Sequence, residues 1–337
     1  MAAPRYPARV SGVAAMIVLA LASPGTATPV GPSQTTYPTP GVAPSRCERI
    51  ERGYRCTYGP IEIGAGKTVE FMSGMAAPSE AGYLTSARAT LVDGEGEAIS
   101  HDEVHLHHLV FLNPNEEDLM CDEYDGAFPP YERFFASGKE RTPLQLPPGY
   151  GYHWSPVAPQ PYTQSAPYWA LVGHLDGVAG HADTHVQLTV GFTPDDQASG
   201  MVGITPVWFD VRNCRSAPVF TVEKGSGRNG VYRETTRQEM PLGGRFIFMA
   251  GHLHDGGLWI SLDDRTSGAH IFKSRATYAS SHHGWDLARM GTFASLPGVA
   301  VSEGDILRLT AAYDSSRRWK DVMGIMVGAL VPKQPSG

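Results

Sequence analysis

Short apolar runs bounded by turn formers recur along most of the chain, at a spacing that predicts β-strands. Residues 83–92 form one such run, closed by Asp93-Gly94, and 103–112 the next, closed by Asn113-Pro114. Runs at 168–174, 184–192, 207–211 and 219–223 follow. Residues 246–262 carry two strand-like runs around Gly256-Gly257, and 305–313 and 322–331 complete the set. No helix longer than a few turns is expected. Segments this short, with turns this dense, predict an all-β fold of the sandwich or barrel kind. Residues 116–151 read instead as a long connection, ordered by Phe128, Tyr131, Phe134 and Phe135. Turn formers stack at 193–200, which marks the best domain boundary.

Composition narrows the class. The 337 residues suit one large domain or two ordinary ones, and a 42% hydrophobic content is enough for a packed core. The 38 glycines and 27 prolines fit many turns. The formal net charge is −7 and no Lys/Arg cluster stands out, so no nucleic-acid partner is expected. Arg5 and Arg9, the apolar stretch 10–22 and small-x-small sites at 20–22 and 25–27 read as a signal peptide over 1–27. A Pro/Thr/Ser-rich leader over 28–45 follows. No later stretch is long and apolar enough to cross a membrane, so the expected location is secreted or extracytoplasmic. Export permits disulfides. Cys47 and Cys56 flank a turn at Arg52-Gly53-Tyr54, which favours that bridge and leaves Cys121 with Cys214.

The chemistry sits in the histidines. His252-Leu253-His254 places two imidazoles on one face of a strand, where they can converge on an ion. His105 and His107 share a face of a regular strand, whereas His107 and His108 do so only if a bulge re-aims one ring. Strand geometry alone therefore favours His105/His107. His174 ends an apolar run and on its own reads as a core histidine. No Gly-x-Ser-x-Gly elbow, phosphate-binding glycine loop or His-Glu-x-x-His helix is present.

The order His107-His108, His174, His252-x-His254, Met323 resembles the copper type II, ascorbate-dependent monooxygenases typified by peptidylglycine α-hydroxylating monooxygenase. The run 168–174 and the spacings between these residues are similar to the family's. Gly251 to Gly257 and Val322-Met323-Gly324 look closer still to plant stress-upregulated nodulin-type proteins, a divergent branch of the same architecture. The resemblance implies two tandem antiparallel, jelly-roll-like β-sandwich domains, here 46–196 and 197–334, with one copper site on each. It implies that His107, His108 and His174 hold an electron-transfer copper, with His105 as a substitute or supporting ligand. It assigns His252, His254 and Met323 to a catalytic, oxygen-binding copper. A thioether beside two imidazoles suits Cu(I). The expected reaction hydroxylates a C–H bond of a small-molecule or peptide-like substrate with dioxygen and an ascorbate-like reductant. Where peptide-hydroxylating members anchor a substrate carboxylate with arginine and tyrosine, this chain has Ala250 and Val327. A non-catalytic copper-binding or buffering protein on the same scaffold is the alternative.

Overall fold

The computed structural model describes residues 44–121, 130–156, 167–214, 218–279 and 285–333. The expected signal peptide, most of the leader, and His282-His283 lie outside the described residues. Among the described residues, apart from one short 3-10 turn, Asp195–Gln197, the elements are all strands.

The N-terminal half contributes β1 (Ser45–Ile50), β2 (Gly53–Ile63), β3 (Thr68–Ala76), β4 (Gly82–Val92), β5 (Val104–Glu117), β6 (Tyr131–Gly138), β7 (Leu144–Gln145), β8 (Tyr150–Trp154), β9 (Tyr168–Gly177), β10 (His181–Pro194) and β11 (Val202–Gly203). Its outer sheet runs β1-β2-β10-β4-β8-β11, with β7 beside β4, and its inner sheet runs β3-β9-β5-β6. The C-terminal half contributes β12 (Thr205–Asp210), β13 (Phe220–Val222), β14 (Val231–Glu239), β15 (Gly244–Leu253), β16 (Gly257–Asp264), β17 (His270–Ala279), β18 (Asp286–Met290), β19 (Thr292–Val301), β20 (Ile306–Asp314), β21 (Trp319–Val322) and β22 (Gly324–Pro332). Here the inner sheet is β12-β22-β15-β19 and the outer sheet β14-β20-β16-β17-β18, with β13 and β21 paired apart.

Each half is held by a core between its two sheets. Leu84 and Leu91 of β4 and Leu188 of β10 share a cluster with Leu106, Leu109 and Phe111 of β5 and Leu171 of β9. Phe246, Met249 and Leu253 of β15 and Met326 of β22 do the same with Ile260 and Leu262 of β16 and Leu309 of β20. Each fully buried side chain of this size contributes about 1.5–3 kcal/mol. Because strand residues alternate faces, both inner sheets have a second face, and these line one cavity. Val110, Leu112 and Val172 approach it from one side, and Phe248, Ala250, Val327 and Ala329 from the other. The seam is closed by the Cys121–Cys214 disulfide, which packs with Trp208, Met323 and Ile325. The expected Cys47–Cys56 bridge is also present, across the β1–β2 hairpin.

The expected long connection at 116–151 is corrected over its described residues; Phe128 lies outside them. β5 runs through Pro114 to Glu117, β6 pairs with it, and β8 begins at Tyr150. The register shifts where Phe111 faces Phe135 but Leu112 faces Arg133, so the adjacent Phe134 and Phe135 are both buried. That bulge breaks the period of two and hides the strand from a pattern reading. β14 and β19 also escaped it. β14 is an edge strand of charged residues and threonines, and β19 is an edge strand carrying Pro297, which only an edge tolerates.

Candidate metal centre

His107, His108 and His174 lie together, each offering a ring nitrogen within 4.8 Å of the others. The pairing of β5 with β9 explains how. His108 faces His174 directly across the ladder, while the register slips between Leu106 and His108, so His107 is the extra residue of a bulge. Leu106 and Leu109 are both fully buried on the core side, and the two histidines between them both turn outward. The preference for His105/His107 is therefore corrected: His105 pairs off with His101, ring centroids 6.1 Å apart. The signal was present in the sequence. Val104 and Leu106 keep one phase, Leu109 and Phe111 the other, and the phase slips at the histidine pair.

Around this group the contacts are dense. His107 Nδ1 lies 3.1 Å from His174 Nε2 and 3.2 Å from an Asp176 carboxylate oxygen. His174 Nδ1 faces Glu70 at 3.5 Å. Hydrogen bonds from His107 and His174 hold Asp176 below the usual carboxylate range. Burial holds His108 well below the ordinary histidine value, helped by the neighbouring imidazoles, so the ring is neutral and its nitrogen lone pair is free.

His252 and His254 leave the end of β15 on one face, as the i, i+2 spacing dictates, with ring centroids 5.2 Å apart. Their tautomers are set by partners. His252 Nδ1 donates to the buried Glu140 carboxylate at 3.1 Å. His254 Nδ1 donates to the Asp321 carbonyl at 2.7 Å, which the left-handed backbone of Asp321 (φ 53°) turns toward it. Both Nε2 atoms are then buried without a partner, as is Nδ1 of His108. Burial also holds His254 well below the ordinary value. Gly138 permits the close approach of β6, since a Cβ there would sit 2.5 Å from the His252 ring.

Met323 lines the same cavity and belongs to the apolar seam with Trp208 and Ile325. Tyr313 ties it to His254: its buried hydroxyl accepts the His254 N–H at 3.0 Å and donates to the Met323 carbonyl. The six expected residues thus line one cavity of about 620 Å³. The two sets are contiguous rather than divided, because the His107 ring centroid lies 4.6 Å from that of His254. Ala250 and Val327 are direct cross-strand partners and form an apolar wall beside them. Among the described lining residues Arg133 is the one cation, and it pairs with Asp118 at 2.8 Å.

Sequence reading missed Glu140, Asp176, Asp321 and Tyr313. Asp176 was accessible, being two residues past His174 on the same strand face. Glu140 carries no local signal, since it meets His252 from 112 residues away. Of the other described histidines, His153, His185 and His270 each sit against a carboxylate away from the cavity, on Asp195, Asp183 and Asp263.

Residues 199–331 match the family model described as Stress up-regulated Nod 19. The chain is 25% identical over 228 residues to "Probable copper-dependent oxygenase clz3" of Cochliobolus lunatus, covering 63% of this chain and 64% of that protein. It is 24% identical over 218 residues to "Probable copper-dependent oxygenase M1" of a Phoma species, covering 63% of this chain and 51% of that protein. The matches thus span between about half and just under two thirds of the curated relatives' length. Together with the ordered histidines, these matches make the chain similar to a divergent, copper-oxygenase-like branch that includes Nod 19-type proteins.

Proposed function

We propose that this chain is an exported copper-dependent monooxygenase that hydroxylates a C–H bond, with dioxygen and an external one-electron reductant such as ascorbate. One oxygen atom enters the C–H bond, and the other leaves as water with two electrons from the reductant and two protons. Residues 46–196 and 197–334 act as two domains that each bring one ligand set. The observation that carries this reading is the convergence of five histidines on one cavity, with three buried ring nitrogens left without partners. Such nitrogens are costly unless a ligand takes them, and neutral imidazole is a good copper donor. The donor set therefore fits the metal.

His107, His108 and His174 would hold one copper, and His252, His254 and Met323 the other. When bound, copper supplies one-electron chemistry and dioxygen activation. The chain's own residues do the rest. Glu140 and Asp321 keep Nδ1 of His252 and His254 protonated, which leaves each Nε2 as the atom that would take a metal. Tyr313 holds the His254 and Met323 backbones together. Phe248, Ala250, Val327 and Ala329 give the substrate an apolar wall that limits water. With the lining Arg133 already paired, an uncharged substrate suits this wall better than a peptide carboxylate.

Copper analysis combined with oxygen uptake tests the reading. Copper-loaded protein with ascorbate should consume oxygen in a substrate-dependent way, and His252→Ala should abolish it. Tight Cu(I) binding with no oxygen uptake under any reductant would favour a copper-binding or buffering protein. Failure to bind copper would overturn both.

A further inference from the structure

No cluster of lysine and arginine stands out along the sequence, yet the outer sheet of the C-terminal half assembles one from separate strands. Ile260 and Leu262 of β16 and Leu309 of β20 fix the core face of this sheet, so the alternate residues face solvent. Cross-strand pairing stacks them in three rows over β14, β20, β16 and β17. The first row is Arg233, Ala312, Trp259 and Arg275. The second is Thr235, Thr310, Ser261 and Lys273, and the third is Arg237, Arg308, Asp263 and His270. Five cations thus share these rows with one carboxylate, Asp263, which already meets Arg308 at 2.9 Å and His270 at 2.8 Å. Glu239 and Asp314 stand only at the strand ends. The whole chain, by contrast, carries a formal net charge of −7.

This crowding costs the fold something. Arg237 stands directly opposite Arg308, and like charges so placed destabilise a sheet. Burial, with Arg275 and Arg233 nearby, holds the Lys273 ammonium below its ordinary value. Trp259 organises part of the cluster: Lys273 Nζ lies 3.7 Å from its ring centroid and the Arg233 guanidinium carbon 5.7 Å. The middle row is a lane of hydroxyls, in which Thr235 Oγ1 donates to Thr310 Oγ1 at 3.2 Å. By strand geometry the lane runs about 14 Å across the four strands, and the rows on either side of it are about 13 Å apart.

We propose that this face binds an acidic polysaccharide, a sulfated or carboxylated chain lying along the hydroxyl lane with its anionic groups on the flanking cations. Such a polymer matches both the charge of the rows and the hydroxyls between them, and it relieves the repulsion among the cations. Trp259 is the one Trp, Tyr or Phe side chain of the three rows, and Lys273 covers its ring, so the rows offer no free platform for base stacking. Among the described residues the exposed large hydrophobics are Val178, Val202, Val219 and Leu296, none of which is on this face, so it has no apolar wedge for a membrane. The proposal is independent of the copper reading above.

Calorimetric titration of the full-length protein at low salt tests it. The probes are a heparin oligosaccharide and an oligogalacturonate, with a single-stranded DNA oligonucleotide and phosphatidylserine vesicles as comparators. At least one of the two saccharides should bind, and more tightly than either comparator. Arg237→Glu/Arg275→Glu should weaken that binding by about tenfold or more, whereas Arg46→Glu/Lys67→Glu, an equal charge change on exposed residues of the N-terminal half, should leave it within about twofold. Absence of saccharide binding, equal loss in the two variants, or tighter binding of DNA or vesicles would overturn the proposal. Should the charge reversal on the sheet fail to fold, Arg237→Gln/Arg275→Gln takes its place, with an expected loss of about threefold or more and unchanged affinity as the refuting result.

Discussion

The Nδ1–H of His252 points at a buried carboxylate, and that one contact decides which nitrogen the ring offers. Removing such a partner from a metal-binding histidine typically lowers metal affinity by about 10–100-fold. Glu140→Ala should therefore weaken Cu(I) binding by that order in competition with a chromogenic chelator, and Glu140→Gln, which keeps an acceptor oxygen, by less. Unchanged affinity in the alanine variant would remove Glu140 from the centre. Tyr313 does for the backbone what Glu140 does for the ring. Tyr313→Phe leaves the His254 amide and the Met323 carbonyl without their shared partner and should cost about 1–3 kcal/mol in urea unfolding. A third residue-scale effect lies away from the cavity. Burial pushes the Glu132 carboxyl from 4.5 up to about 7, although the Tyr152 hydroxyl donates to it at 2.5 Å. Between those two values the folded state keeps a proton that the unfolded chain has lost. The contribution of this carboxyl to stability is thus greatest below 4.5, falls as pH rises through the window, and levels off above about 7. Urea titrations across this range should show Glu132→Gln gaining on the wild type by on the order of 2–4 kcal/mol. Parallel pH curves would refute the assignment.

At the scale of the strand, two devices build the centre. The bulge in β5 turns a His-His pair into two rings on one face, and the regular end of β15 does the same for His-x-His without distortion. One pattern was plain in the sequence because it obeys the period of two. The other was hidden because it breaks that period, although the phase slip between Leu106 and Leu109 marks the place. The pairing of β15 with β22 puts Ala250 opposite Val327 and makes the wall beside the histidines apolar. Ala250→Trp should fill that part of the cavity. Substrate-dependent oxygen uptake should then fall at least tenfold, with copper content unchanged in elemental analysis. Equal loss of copper would mean that the wall supports the metal rather than the substrate.

For the whole molecule, the two disulfides have unequal weight. Cys47–Cys56 closes a hairpin, with a sequence separation of 9, and Cys121–Cys214 ties the halves together, with a separation of 93. Loop-closure entropy assigns about 2.5–3 kcal/mol to the first and about 4.5–5 kcal/mol to the second. Thermal unfolding should therefore fall further in Cys121→Ser/Cys214→Ser than in Cys47→Ser/Cys56→Ser. The opposite ranking would show that the seam is held by its ion pairs and apolar contacts alone. The described residues contain no helix long and apolar enough to cross a membrane.

The sequence by itself determined the all-β class and ten of the 22 described strands, which are written locally in turn formers and in the period of two. It favoured both disulfides among the possible pairings, and it offered the histidines as residue types whose chemistry is narrow, while the ordered ligand set came from the family resemblance. It did not determine the edge strands β14 and β19, whose outward residues carry no apolar signal. Nor did it reveal β6, whose bulge erases the pattern. The partners of the histidines lay further out of reach, because Glu140, Asp321 and Tyr313 are chosen by packing between distant strands. Only the tertiary structure decided that the two histidine sets meet. The second faces of two inner sheets stack across one seam, and that stacking depends on contacts between halves that no local pattern encodes.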